Sequence, residues 1–238
     1  MDQRPGFSRL AMFGLACALV GGVAGYLAST LRADRVIHDY LVTNPQVLPE
    51  AMEALRKQED AHALAGIRAD VERPFPGSVL GNPDGKVTLV EFTDFACGYC
   101  RKSVADVESL IAANPQLRVV VRQLPIIAPE SADAARMGLA AAAQGKYAAF
   151  HHALFAIGKP DAAGVAEAAR QAGLDPAAAQ RTMADPAVAA EIDRNLEFAR
   201  KLGFSGTPAW VAGDRLLSGA IGAEALGKAV ARIGPHGA

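Results

Sequence analysis

The residues best suited to chemistry are two cysteines spaced three apart, Cys97 and Cys100, with Gly98 and Tyr99 between them. At the start of a helix, this spacing places both side chains on one face, within the span of a reversible disulfide. The unpaired N–H groups and positive dipole of a helix N-terminus favour the thiolate form of Cys97. We therefore expect Cys97 to be a solvent-accessible nucleophile and Cys100, one turn further in, to be the less exposed resolving thiol.

A cysteine pair of this kind can also be half of a zinc site or a structural disulfide. Tetrahedral zinc requires four ligands, but the sequence has no second pair, and His151 and His152 come far along the chain. A disulfide across two residues would stabilise the fold little, because the gain from loop closure is smallest for short loops. With only three cysteines in the chain, redox chemistry is favoured, and we predict no metal site and no cofactor.

The segments around the pair alternate between strand and helix patterns. Residues 87–92 are β-branched and aromatic, which predicts a short buried strand directly before the cysteines. Residues 97–113 read as a helix with one apolar face, and residues 117–124 as a second strand. A strand, a helix and a strand in succession imply a right-handed parallel unit, so the core is predicted to be α/β.

The chain after this unit is predicted to form a helical insertion and then to return to strands. Residues 131–202 are alanine-rich, and Asp175 and Asp185, each followed by proline, are typical helix caps. Residues 209–218 predict a hairpin that turns at Gly213-Asp214, and residues 224–233 predict a closing helix.

The N-terminus has the layout of an export signal. Arg4 and Arg9 precede an uncharged stretch over residues 10–31, which is long enough to approach one membrane span. Two interpretations of residues 1–30 stay open, a cleaved signal peptide and an uncleaved anchor. The formal net charge of −1 offers no electrostatic footprint for nucleic acid, which we exclude as a partner.

Residues 31–70 are predicted to form a helical stalk. Leu41, Leu48 and Leu55 lie seven residues apart and mark one apolar stripe on a helix pair. The stripe requires a partner surface, which is either the main domain or further copies of the stalk. Residues 73–84 are rich in proline and glycine, so we expect a domain boundary near residue 70.

The segment VTLVEFTDFACGYCRKS resembles the active-site region of DsbA-like thioredoxin-fold proteins. The resemblance continues at Gly206-Thr207-Pro208, which looks like the loop of that family that carries a cis-proline opposite the cysteines, and it covers about residues 75–234. It implies an α/β thioredoxin fold over residues 71–238, with a helical insertion at about 131–202 and an N-terminal helical stalk.

The same resemblance implies roles for further residues. Glu91 stands six residues before Cys97, where the family places a buried acid that relays a proton and whose pKa burial raises. It is assigned to the catalytic group with the two cysteines. The loop residues Thr207 and Pro208 are expected to present backbone to the substrate, and Gly98 and Tyr99 to contact it.

The stalk segment HDYLVTNPQVLPEAMEALRKQE is similar to the N-terminal segment of suppressor-of-copper-sensitivity C proteins and their outer-membrane-antigen-like relatives. Some members assemble through that segment and act as disulfide isomerases, so the resemblance implies a homo-oligomer. Gly98-Tyr99 is the dipeptide of those relatives, whereas the archetypal oxidase has Pro-His. This difference weakens the case for a strongly oxidising pair.

The resulting hypothesis is a periplasmic thiol-disulfide oxidoreductase that forms or isomerises disulfide bonds in exported proteins. Its expected partners are unfolded or misfolded exported proteins and a membrane redox partner that recycles the pair. The direction of exchange stays open. One alternative is a copper-linked thiol protein that binds a soft metal ion through the reduced pair. A second is a membrane-anchored interaction module whose cysteines are vestigial.

Overall fold

The computed structural model describes residues 6–233, with the side chains of residues 12–23, 25–26 and 32–233, so Arg4 and Arg9 of the predicted signal lie outside the described side chains. The described chain divides into two units, one ending at Arg56 and one beginning at Lys57. The first contains helix α1 (Gly6–Thr43), which runs without a break through residue 30, and the beginning of α2 (Val47–Leu64). In the part of the chain described, no helix is both long and apolar enough to cross a membrane.

The second unit begins earlier than the boundary expected near residue 70. Leu64, at the end of α2, and Val71, at the end of the short helix α3 (Arg68–Val71), are both fully buried in its core. The carboxylate of Asp60 accepts hydrogen bonds from the side chain of Arg215 and the backbone N–H of Leu216. The second half of α2 therefore belongs to the compact unit, where composition alone assigned it to the stalk.

Five strands form one mixed sheet, in the order β1-β3-β2-β4-β5. They are β1 (Val79–Gly81), β2 (Val87–Thr93), β3 (Leu117–Gln123), β4 (Ala209–Ala212) and β5 (Arg215–Ser218). β2 and β3 are parallel and the other neighbouring pairs are antiparallel. The predicted parallel unit and hairpin are confirmed, whereas β1 falls in a segment for which only a loop was expected.

Alternation along the central strands gives the sheet two apolar faces. One face includes Leu89, Val119 and Val121, and it packs against α4 (Gly98–Ala113) and α10 (Gly222–Ala231). The opposite face includes Val90 and Val120. The fold class is the predicted α/β sandwich, with the cysteine-bearing helix α4 laid across one face.

Five helices fill the predicted insertion. They are α5 (Ser131–Ala143), α6 (Tyr147–Ile157), α7 (Ala162–Gln171), α8 (Pro176–Met183) and α9 (Pro186–Lys201). The carboxylates of Asp175 and Asp185 accept hydrogen bonds from the first-turn N–H groups of α8 and α9, with proline at the start of each helix, which confirms both predicted caps. α9 returns to the sheet, where Phe198 and Ala199 join the core of the second face.

The buried side chain of Arg122, on β3, joins three parts of the compact unit. Its guanidinium donates to the carbonyl of Val71 and to the side chains of Glu191 and Asn195 on α9, each at 2.8 Å. It also donates to the carbonyls of Asp70 and Arg73. Because one cation satisfies all five acceptors, its removal leaves three carbonyls and the side-chain oxygen of Asn195 without this donor, and it leaves Glu191 paired only with the exposed Arg194.

We expect Arg122→Met to lower the free energy of unfolding by about 3–5 kcal/mol, the usual cost of breaking a buried ion pair from one side. Denaturant unfolding followed by circular dichroism measures it. The matched control is Arg136→Met, which breaks the exposed pair with Asp133 and should cost less than about 1 kcal/mol. Equal losses in the two variants would contradict the conclusion that buried Arg122 holds the three parts of the compact unit together.

Candidate active site

Cys97 is the N-cap residue of α4, in the extended conformation that precedes a helix. Its sulfur accepts a hydrogen bond from the backbone N–H of Cys100 at 3.5 Å, and its thiol donates to the carbonyl of Thr207 at 3.2 Å. Both cysteines are free thiols. The pair therefore lies at the helix N-terminus as predicted, with its first sulfur facing the Thr207 loop.

The exposure expected for the two cysteines is only half right. Cys100 is buried as predicted, but Cys97 is also buried, with only 6% of its surface exposed. The reason is that the N-cap conformation turns the thiol toward Thr207, and Phe95 packs in the same apolar cluster as both cysteines. The exposed residues of the motif are instead Gly98 and Tyr99, the second at 62%.

The loop that ends in Pro208 lies beside the pair because the next residues form β4, which pairs with β2. Ala209 is opposite Phe92, so the two chain segments that carry Cys97 and Pro208 leave the same end of the sheet. The peptide bond between Thr207 and Pro208 is cis. The predicted cis-proline and its contact with the first cysteine are both confirmed.

Glu91 lies in the middle of β2, on the sheet face that α4 covers. It is 3% exposed, and burial raises its pKa to about 8, with a smaller opposite effect from the hydroxyl of Thr93. The predicted buried acid with a raised pKa is confirmed, and a carboxyl of this kind holds a proton at neutral pH.

Burial also raises the pKa of the Cys100 thiol well above its usual range, and the negative charge of Glu91 raises it further. The hydroxyls of Thr207 and Thr93 and the backbone of Asp94 offset part of this rise. The ionisation of Cys100 is therefore coupled to the charge of Glu91.

Two polar residues near Glu91 were not identified from the sequence. Burial, and then the charge of Glu91, raises the pKa of the Tyr147 phenol, which accepts a hydrogen bond from Gln123 at 2.8 Å. Neither residue belongs to a motif, since Tyr147 begins α6 in the helical insertion and Gln123 ends β3. Only the fold brings them to the buried acid.

His151 and His152, considered above as possible zinc ligands, occupy different environments. His151 is buried among aromatic rings, and burial lowers its pKa to about 3, with a smaller effect from His152. The Nδ1 atom of His152 lies 2.8 Å from a carboxylate oxygen of Glu108. Within the described residues, no group of three or more His, Cys, Asp or Glu side chains is arranged to hold a metal ion.

Comparison with known proteins agrees with this geometry. A family model described as a DSBA-like thioredoxin domain matches residues 88–231, and one described as the copper resistance protein ScsC N-terminal domain matches residues 34–61. The chain is similar to the structure of a thioredoxin-like oxidoreductase from Silicibacter pomeroyi, with 48% identity and a TM-score of 0.62 over 65% of this chain and 90% of that one. It is also similar to the catalytic domain of Proteus mirabilis ScsC, with 28% identity and a TM-score of 0.64 over 72% and 96% of the two chains.

Among curated proteins, the chain is 32% identical over 168 residues to a protein named Na(+)/H(+) antiporter NhaA 3 from Salinispora tropica. The match covers 67% of this chain but only 26% of that protein, so the chain spans about a quarter of the relative's length. The first family model covers more than half of the chain and includes Cys97, Cys100 and Pro208. The chain therefore belongs to the DsbA-like thioredoxin-domain family of thiol-disulfide oxidoreductases.

Proposed function

We propose that the chain forms or isomerises disulfide bonds in exported proteins in the periplasm, through reversible oxidation of Cys97 and Cys100. One observation carries the proposal: the first thiol, at the N-terminus of α4, contacts the carbonyl of Thr207 across the site at 3.2 Å. A substrate chain that reaches Cys97 must therefore also meet the backbone of the Thr207–Pro208 loop. This is the contact expected for docking an unfolded polypeptide.

In the oxidising direction, a substrate thiolate attacks the sulfur of Cys97 in the enzyme disulfide, and Cys100 leaves with the electron pair of the broken bond. A second substrate thiolate then attacks the substrate sulfur of this mixed disulfide and releases Cys97 as a thiolate. One enzyme disulfide and two substrate thiols become one enzyme dithiol and one substrate disulfide. The enzyme gains two electrons, which a membrane redox partner removes to restore the oxidised pair.

In the isomerising direction, the reduced pair starts the reaction. The Cys97 thiolate attacks a substrate disulfide and releases one substrate thiolate, which is free to attack another bond in the same substrate. The final attack on the mixed disulfide returns Cys97 to its thiolate form. No net electrons are transferred, so this direction requires a pair that is kept reduced.

Glu91 is proposed to move the proton of Cys100. The buried thiol has a raised pKa and is inert unless a base takes its proton, and the buried carboxyl beneath it titrates at about 8. When Cys100 leaves as a thiolate, the protonated carboxyl donates to it, and when Cys100 attacks a mixed disulfide, the carboxylate accepts its proton. Gly98 and the exposed Tyr99 lie between the two cysteines in the sequence, and we propose that they contact the substrate that binds Cys97.

The stalk is proposed to assemble the chain into a small oligomer, most simply a trimer, as the resemblance to ScsC-type proteins suggests. Support comes from the match of residues 34–61 to the ScsC N-terminal domain and from the exposure of Leu48, Met52 and Leu55, each more than half exposed. An apolar seam of this length favours a partner surface. Several sites on one particle raise the effective concentration at a bound substrate, which favours isomerisation. The N-terminal segment is proposed to direct export, either as a cleaved signal peptide or as an anchor of this assembly in the inner membrane.

A second candidate function is the binding of a soft metal ion such as Cu(I) by the reduced pair. The name of the matched N-terminal family, a copper resistance protein, favours it, and two thiolates suit such an ion. The geometry favours it less, because burial raises the pKa of the Cys100 thiol, which must lose its proton to bind the ion.

We expect Cys97→Ser to reduce oxidation of a synthetic dithiol peptide to the uncatalysed rate, because it removes the sulfur that the substrate attacks. On a peptide that contains a disulfide, Cys100→Ser should instead accumulate mixed disulfides, because the Cys97 thiolate attacks the substrate disulfide, one substrate thiolate leaves, and no resolving thiol remains. Non-reducing gel electrophoresis and mass spectrometry detect these species. The control is Cys17→Ser, which changes an exposed cysteine of α1 and should leave the rate unchanged. Mixed disulfides on Cys97→Ser, rather than on Cys100→Ser, would reverse the assigned roles.

We expect the full chain to sediment as a small oligomer and the Leu48→Ser/Leu55→Ser variant to sediment as a monomer, because the variant replaces two of the three leucines of the apolar stripe. The variant should lose isomerase activity on scrambled ribonuclease while still oxidising the dithiol peptide. The control is Val42→Ser, which changes an exposed residue outside the seven-residue repeat. A wild-type chain that is monomeric at micromolar concentrations would refute the assembly and leave oxidase or reductase as the better interpretation.

A further inference from the structure

Asp94, three residues before Cys97, has a buried carboxylate with four neutral donors. One oxygen accepts from the N–H of Ala96 at 2.8 Å and from the hydroxyl of Ser131 at 2.7 Å. The other accepts from the N–H groups of Ile126 and Ile127, at 2.8 and 2.9 Å. Its side chain therefore ties the segment that enters the cysteine motif to the loop between β3 and α5.

The backbone of the same residue contacts the cysteines. The carbonyl of Asp94 accepts a hydrogen bond from the N–H of Cys97 at 2.9 Å, and its backbone also interacts with the sulfur of Cys100. One residue thus holds the redox pair through its main chain and the neighbouring loop through its side chain. Any surface carried by that loop is fixed relative to the site of exchange.

The loop carries two exposed apolar side chains. Ile126 is 42% exposed and Ile127 is 49% exposed, and Tyr99 is the one other large apolar residue exposed in the described part of the compact unit, residues 57–233. The N–H groups of both isoleucines and of Ala96, which directly precedes Cys97, bind the same carboxylate. The exposed apolar residues of this unit are therefore gathered around the cysteine pair.

We propose that Asp94 is a positioning residue for substrate docking, which holds Ile126 and Ile127 as a preformed apolar contact for the chain beside a substrate cysteine. The inference rests on the proposed function, since a substrate sulfur bonded to Cys97 must bring its flanking residues over this loop. The ligand of the surface formed by Ile126 and Ile127 is an unfolded segment with apolar residues next to its cysteine. Cysteines are among the most buried residues of folded proteins, so the neighbours of an unfolded one often include core side chains.

The chemistry of the carboxylate explains why aspartate suits this position. Two carboxylate oxygens offer about four acceptor sites and no donor, which matches the four donors present. Asparagine has the same shape but only one acceptor oxygen. Its NH₂ group would replace the other oxygen and would face two N–H or O–H donors instead of accepting from them. Asp94→Asn should therefore leave two of the four donors without an acceptor and loosen the link that holds the two isoleucines beside the cysteine motif, without changing the volume of the side chain.

The test compares the oxidation of two matched dithiol peptides by the full chain, one with leucine and one with serine flanking its cysteines. We expect Ile126→Ser/Ile127→Ser to raise KM for the leucine peptide about tenfold, the effect of losing about 1.4 kcal/mol of apolar contact. The value of kcat for that peptide, and both constants for the serine peptide and for dithiothreitol, should stay unchanged. Asp94→Asn should reproduce this pattern, and adding it to the double variant should raise KM no further.

Several outcomes would overturn the inference. An unchanged KM in the isoleucine variant would mean that the surface does not touch substrate. An equal loss of kcat in Asp94→Asn for both peptides and dithiothreitol would mean that the residue acts on the cysteines instead. If Asp94→Asn does not fold, as judged by thermal unfolding, the isoleucine variant still decides the question, because both side chains are exposed. A wild-type chain that oxidises neither peptide would refute the proposed function itself. A wild-type chain that oxidises both peptides with equal KM values would instead refute only the inference about the isoleucine surface.

Discussion

The buried carboxyl of Glu91 is the constraint around which the compact unit is arranged. Glu91 lies on a central strand and is 3% exposed, and this burial disfavours its charged form and raises its pKa. The structure keeps water away from it by laying α4 across the sheet, and this same helix places its N-terminus and both cysteines above the acid. Burial of this one region therefore raises the pKa of both Glu91 and Cys100.

The site also depends on segments that are distant in the sequence. Cys97 meets Thr207, 110 residues later, because β4 returns from the helical insertion to pair with β2. Two buried polar residues hold the surrounding framework. Arg122 fixes α9 and the end of α3 to β3, and Asp94 fixes the start of the insertion to the cysteine motif. Each side chain does so through a small set of charge-assisted hydrogen bonds.

The sequence was sufficient for the elements with strong local signals. The strand before the cysteines, the hairpin after Pro208 and the caps at Asp175 and Asp185 follow from residue type and spacing alone, and the resemblance to a family supplied the cis-proline and the buried acid. Features that depend on tertiary contact were not accessible. The three-residue strand β1 is too short to leave a pattern, and the residues before 70 look like stalk because Asp60 and Leu64 find their partners only in the folded unit. The burial of Cys97 was missed for the same reason, since it is set by a carbonyl on another loop.

The titration of Glu91 in the reduced protein tests the central claim most directly, because both the proton transfer and the inertness of Cys100 follow from that buried carboxyl. The side-chain carboxyl carbons of glutamate can be labelled with carbon-13 and followed by NMR across pH, with the Glu91 signal assigned by its loss in Glu91→Gln. The account predicts a midpoint near pH 8 for this signal, well above the ordinary glutamate value of about 4.3. A Glu91 signal with a midpoint near that ordinary value would mean that the carboxyl is charged at neutral pH, and it would contradict the account of how the pair exchanges its proton.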